Sequence, residues 1–177
     1  MNTLGAFVRN WPRALSLRFK DAALAWQQAN SVARYVSSYC APLLSHRHQA
    51  ADVRGTSHDL DYAINELMEN VIKYAGSSEI TLEVGVRESH IVINASTLSQ
   101  DVEAERYRKR MSAMIAGDPQ ELLTKLIERR VELGETGSGL GLLSLRADYG
   151  AELAFEFKPV AGGKRRVTTQ TRLPIRH

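Results

Sequence analysis

Cysteine is almost missing from this 177-residue chain; Cys40 is the only one. A single thiol excludes an internal disulfide and any cysteine-built metal cluster, and it fits a reducing, cytoplasmic setting. Flanked by Tyr39 and Ala41, it reads as a packing residue. Long apolar runs are missing too. No stretch approaches the roughly 20 residues that a membrane helix needs, so no membrane association is expected. Arg9, Arg13 and Arg18 interrupt the opening segment, which makes it a poor secretory leader. Internal repeats and low-complexity tracts are absent. What remains, 44% hydrophobic and 24% charged residues, is the composition of a soluble globular protein with room for one core.

Net charge is only +3 but uneven. Residues 1–50 carry six Lys/Arg against one acid, Asp21, and residues 158–177 carry six Lys/Arg and no acid. No aromatic interleaving and no reading-helix motif accompanies these basic ends, so nucleic acid is not an expected partner. An acidic protein surface, or solvent alone, suits them better.

In chain order, residues 11 to about 48 are expected to be helical, with Leu15, Phe19, Ala22, Leu24, Trp26, Val32, Tyr35 and Val36 at roughly helical spacing. Pro42 is expected to break or end that helix. Residues 45–56 read as a loop, and Ser57 or Asp59 as the cap of a helix running to about Ala75. Alternating stretches at 79–86 and 90–94 predict a hairpin. Residues 99–133 are charged and helical, with Pro119 marking a break. After a glycine run, a helix from Leu140 to about Tyr149 ends at Gly150. A last hairpin pairs 151–158 with 165–174 around Ala161-Gly162-Gly163. Strands grouped apart from helices predict an α+β two-layer sandwich with a mixed, mainly antiparallel sheet. Residues 1–50 would be a helical segment packed on the same single domain as residues 51–177.

Two short stretches carry the chemistry. The first is Asn65-Glu66-Leu67-Met68-Glu69-Asn70-Val71-Ile72-Lys73-Tyr74. At about 100° per residue from Glu66, Asn70 lies near +40° and Lys73 near −20°, while Ile64, Leu67, Met68, Val71 and Ile72 fill the arc from about 100° to 240°. A carboxylate, an amide and an ammonium thus share one ridge of a helix whose other side is core. The second stretch, Gly137-Ser138-Gly139-Leu140-Gly141-Leu142, alternates three glycines ahead of an amphipathic segment. Backbone there can approach an anion closely, and the helix start offers unpaired N–H groups. Each stretch alone is unspecific, since polar helix faces and turn glycines are common. Together they point to a magnesium-nucleotide site.

The pair resembles the N-box and second glycine box of the GHKL superfamily, the gyrase-type, Hsp90-type and histidine-kinase-like ATPases. That resemblance implies a Bergerat-type fold, ATP and Mg²⁺ as cofactors, and a lid over the nucleotide at about residues 95–136. It implies Asn70 as metal ligand and Glu66 as catalytic carboxylate. Lys73 would meet phosphate, Tyr74 the sugar or base, and Gly137, Gly139, Leu140 and Gly141 the triphosphate. Most members follow the second strand with Asp-x-Gly-x-Gly, whose Asp accepts the adenine amino group. This chain has Ile93-Asn94-Ala95-Ser96 instead, and Asn94 would offer its amide oxygen. A strand ending in Asn, a helical lid and the glycine run together look like the small SiaB-type bacterial regulators, relatives of the SpoIIAB and RsbW anti-sigma-factor kinases. The resemblance implies phosphoryl transfer to Ser or Thr of a partner protein, STAS-like or SiaC-like, in a partner-switching signalling pathway, and leaves room for a homodimer.

Two rivals stand beside this reading. A GHKL-fold regulator could sequester a protein partner without catalysis. A histidine autokinase is suggested by Ser57-His58-Asp59-Leu60, but His58 lies only eight residues before Glu66 and no separate dimerisation hairpin fits in the chain.

Overall fold

The computed structural model describes residues 2–47, 52–75, 79–133 and 140–177, without the side chains of residues 22–24, 26, 47, 74 and 75. Its strands are β1 (Thr3–Leu4), β2 (Leu15–Phe19), β3 (Ile80–Val86), β4 (His90–Gln100), β5 (Glu152–Val160) and β6 (Lys164–Pro174). They form one sheet in the order β1-β5-β6-β4-β3-β2. Every pairing is antiparallel, in keeping with the mainly antiparallel sheet expected and without its parallel component. The helices among the described residues are α1 (Ala22–Arg47), α2 (Val53–Ala75), α3 (Asp101–Ala116), α4 (Pro119–Leu133) and α5 (Gly141–Ala147).

Strand periodicity of two sorts the side chains. Leu82, Val84, Ile91, Ile93, Phe155, Phe157 and Leu173 fall on one face and are buried against the helices. Burying each is worth about 1.5–3 kcal/mol. The other face carries Thr81, Glu83, Asn94, Ser96, Glu156, Lys158, Arg166 and Thr168, interleaved with the first set. The expected two-layer α+β architecture is therefore present, with no helix of the described residues long and apolar enough to cross a membrane.

The amino-terminal third departs from the helical expectation. Leu15–Phe19 is a strand paired with β3. Leu15 and Phe19 are four apart, a spacing that suits either a helix or two strand repeats. Leu17, alternating with exposed Ser16 and Arg18, decides for the strand. Pro42 does not end α1, which continues to Arg47. A proline inside a helix costs about 3 kcal/mol, and burial of Leu44 beyond it offsets most of that. Helix α2 starts at Val53, so residues 53–56 are not loop and neither Ser57 nor Asp59 is its cap. Asp52 takes that role, its Oδ1 accepting from Gly55 N at 2.9 Å. Asp59 instead is buried and accepts a two-pronged bond from Arg176, which fixes the end of the chain on α2. Pro119 does open a new helix, with Asp118 Oδ1 accepting from Glu121 N at 3.0 Å.

Between β1 and β2 the chain crosses the face of the sheet that the helices leave open. Gln170, fully buried, accepts from Val8 N at 2.7 Å and donates to Val8 O at 2.8 Å. Further along, Ala14 N donates to Val84 O at 2.8 Å. Gly85 sits beneath this strap. A Cβ built there would overlap the Pro12 carbonyl oxygen and lie 2.8 Å from Trp11 Cε3. Backbone on both sides cannot rotate away, so Gly85→Ala is expected to lose about 2–3 kcal/mol and roughly 4–10 °C in Tm. A thermal unfolding curve superimposable on wild type would show that the strap does not press on β3.

Candidate functional site

Helix α2 is amphipathic as its spacing predicts. Leu60, Ala63, Ile64, Leu67, Met68 and Val71 are buried, while Glu66 and Asn70 are half-buried and Lys73 is exposed in the last turn. The ridge faces the start of α5. Gly141 is buried directly against the Glu66 side chain. A Cβ there would overlap the Glu66 carboxylate and lie 2.7 Å from its Cγ. Only a residue without a side chain lets the carboxylate settle on the α5 backbone.

Glu66 is held as well as seated. The Tyr62 hydroxyl, one turn earlier, interacts with its carboxylate, and Ser144 on α5 interacts with the Tyr62 oxygen. The Tyr62 ring stacks on Tyr149, centroids 4.8 Å apart and planes 13° from parallel. Burial, and then the neighbouring charge of Glu69, raises the Glu66 carboxyl above its ordinary pKa; the Tyr62 hydrogen bond offsets part of this. Burial, reinforced by the charge of Glu66, pushes the Tyr62 hydroxyl up to about 12, so it stays a donor at neutral pH.

Asn70 is oriented by its own helix. Its Nδ2 donates to Glu66 O at 2.7 Å, which leaves Oδ1 as the atom available to a cation. Beside it opens a cavity of about 320 Å³ between α2, α3, α4 and α5. Met111, Met114, Leu122, Leu126, Leu142 and Leu143 form apolar walls, and Arg110, Lys125 and Arg129 bring three cations. The helices over the cavity are fastened to α5. Arg146 donates to the carbonyls of Met114 and Gly117, and Gln120 Nε2 donates to Ala147 O at 2.7 Å.

The sequence-predicted residues divide. Glu66, Asn70 and Gly141 converge, with Leu140 next to Gly141 preceding the first turn of α5; Ser144 N donates to Leu140 O at 2.8 Å. Lys73 lies one turn beyond Asn70 on the same helix. Gly137, Gly139 and the side chain of Tyr74 lie outside the described residues. Asn94 is not brought to this site. The strand does not end at 93–96 but continues to Gln100, so the lid helices start at Asp101 and not near 95. Inside that strand Asn94 points to the opposite face, buried, with Oδ1 accepting from Gln170 Nε2 at 2.9 Å. The sheet surface under α3 is covered by Tyr107, whose hydroxyl lies 3.3 Å from Thr169 Oγ1 and whose ring meets Phe155 edge-on at 5.8 Å. Sequence reasoning missed Tyr62, Ser144 and Tyr149. Tyr62 was within reach, since it lies near −40° on the same ridge.

Among the described residues no cluster of three or more His, Cys, Asp or Glu side chains could hold a metal ion. A cation at Asn70 would therefore draw its other ligands from a bound phosphate and water, which is how Mg²⁺ is ordinarily held.

A six-stranded antiparallel sheet with its helices on one face, and a polar helix ridge meeting a glycine at the start of a short helix, defines the class of fold. No family model matches the chain, and no curated protein matches it. Among solved structures, the crystal structure of the SiaB–SiaC complex from Pseudomonas aeruginosa contains a chain that aligns with TM-score 0.66 at 18% identity, covering 91% of each chain. The chain thus has a SiaB-like fold.

Proposed function

We propose that this chain is a partner-switching regulator that binds Mg²⁺·ATP and transfers phosphate to a Ser or Thr of a SiaC-like or STAS-like protein. The observation that carries the proposal is the Glu66 carboxylate seated on Gly141, one helical turn from an Asn70 amide that borders a cation-lined cavity. The residues fit the nucleotide in kind. Gly141 keeps a side chain out of the seat, Asn70 Oδ1 suits a hard cation, and Arg110, Lys125 and Arg129 suit phosphate oxygens. Apolar walls suit a base. When bound, Mg²⁺·ATP supplies the transferable phosphoryl group and neutralises its charge.

The chain's own residues do the rest. Glu66 takes the proton from the attacking hydroxyl, and its raised pKa brings its basicity nearer to neutral pH. Gly141 seats the carboxylate, and Tyr62, with Ser144 behind it, lines its other side. Helices α3 and α4 exclude water from the cavity. Lys73, Tyr74, Gly137 and Gly139 belong to the same proposal as phosphate and sugar contacts.

A second reading, sequestration of the partner without catalysis, is favoured by a different observation. Asn94 faces away from the site and Tyr107 covers the sheet beneath α3, so Asn94 offers adenine no amide. One measurement separates them. Calorimetry with ATP and magnesium is expected to show binding to wild type and a loss of at least about 100-fold in Asn70→Ala. Equal affinity of the two proteins would count against the site, and no binding by either would favour sequestration. Labelled ATP and a purified SiaC-like partner should then yield label on Ser or Thr of that partner.

A further inference from the structure

The face of the sheet turned away from the helices holds a second cavity, also of about 320 Å³, under the strap. Its make-up is unlike the first. The floor is donor-rich. Asn94, whose Oδ1 is taken by Gln170, lines the space, and the Ser96 and Thr168 hydroxyls lie 3.0 Å apart beside it. The walls carry five cations and two carboxylates. Arg9 and Arg13 come from the strap, Arg18 from β2, Lys158 from β5 and Arg166 from β6.

Two carboxylates stand against five cations in the lining, and Arg18 pairs outside it with Glu79 at 3.2 Å. Glu156 is buried and shared, forming ion pairs with both Arg9 and Lys158, the latter at 2.9 Å. Glu83 takes Arg13 at 2.6 Å. Arg166 has no ion pair among the described residues and is exposed at the rim. Like charges from four separate segments converge there, four of them held by ion pairs within the fold and Arg166 left over. An anion relieves that repulsion and gains charge-assisted hydrogen bonds to guanidinium groups. The volume sits at the small end of the range for small-molecule sites, about 300–1,000 Å³. It takes a compact ligand and not a peptide strand.

We infer that this cavity binds a small polyanion with at least two phosphate groups, held between the strap and the outer face of the sheet. The inference does not depend on the nucleotide site proposed above, because the two cavities share no residue. Bound there, the ligand ties Arg9 and Arg13 of the strap to Lys158 and Arg166 of the sheet.

Titration of the full chain with inorganic pyrophosphate, in buffer freed of magnesium by EDTA, tests it. Wild type is expected to bind saturably and with an affinity that weakens as salt rises. Arg166→Gln, a change at an exposed position with no ion pair, is expected to weaken binding by about tenfold, and Arg13→Gln by a similar factor. Asn70→Ala and Arg129→Gln, at the other cavity, are expected to stay within about twofold of wild type. Hydrogen exchange of residues 6–14 should slow when pyrophosphate is present. Four results would overturn the inference: no saturable binding by wild type, binding by Arg166→Gln and Arg13→Gln equal to wild type, loss of binding in Arg129→Gln, or binding of a poly-glutamate peptide by a protein that ignores pyrophosphate. Failure of this test leaves the Asn70→Ala experiment untouched, so the two proposals fail separately.

Discussion

Gly141→Ala is expected to leave the fold standing and remove phosphoryl transfer. The three atoms nearest the added methyl group all belong to the Glu66 side chain. A carboxylate can swing away, and the cost of an unfavourable χ angle is about 0.5–1.5 kcal/mol. Against this, alanine is preferred over glycine in a helix by about 0.8–1 kcal/mol. The two nearly cancel, so Tm should stay within roughly 2–3 °C of wild type. Transfer should not survive. A base moved by 1 Å or more loses about 100-fold from misplacement, and loss of general-base action altogether costs about 10²–10⁴-fold. Single-turnover transfer to the partner, measured beside thermal unfolding, checks both halves. Wild-type transfer by Gly141→Ala would mean that the seated position of Glu66 is not the reacting one. The contrast with Gly85→Ala is instructive, because there the obstacle is the Pro12 carbonyl and the penalty falls on the fold.

Glu66→Gln is expected to abolish transfer, by about 10²–10⁴-fold, while raising thermal stability at neutral pH. The amide keeps the shape and the Tyr62 contact but accepts no proton. Stability moves the other way because burial, then the charge of Glu69, raises the folded-state pKa of this carboxyl. A raised folded-state pKa means that the native chain holds the proton more tightly than the unfolded chain. Its favourable contribution is complete below the unfolded value of about 4.3 and is lost as pH rises through the higher folded value. At neutral pH the ionised Glu66 is therefore a liability that glutamine removes. The Tm difference between variant and wild type should shrink as pH falls toward 4. The same shift displaces the acid limb of the wild-type transfer profile above the ordinary carboxylate range. A variant less stable than wild type at pH 7 would show that the carboxylate is better solvated or better paired than its surroundings imply.

How much of this was legible beforehand depends on the range of the interaction. The opposed faces of α2 follow from residues three and four apart, so Glu66 and Asn70 could be placed on one ridge from spacing alone. The encounter with Gly141 could not, and only resemblance suggested it. Leu15–Phe19 went wrong because the two bulkiest positions fit both periods, and the partner that fixes the strand, β3, lies more than 60 residues away. Asn94 went wrong through parity. In an eleven-residue strand each position alternates sides, and the side is set by register with Glu83 and Gln170, which no local pattern encodes. Tyr149 and Ser144 sit on a segment whose seven helical residues are too short to show a clear period.

The strap also sets a timetable for folding. Val8 is secured by Gln170, 162 residues later, and Thr3 pairs with Glu156. During synthesis residues 3–8 emerge long before β5 and β6, the strands that hold them. Meanwhile β2 can pair only after β3 has emerged, and two strand edges stay open to other chains. Closure is thus a late, long-range event, of the kind that slows folding and exposes a nascent chain to aggregation.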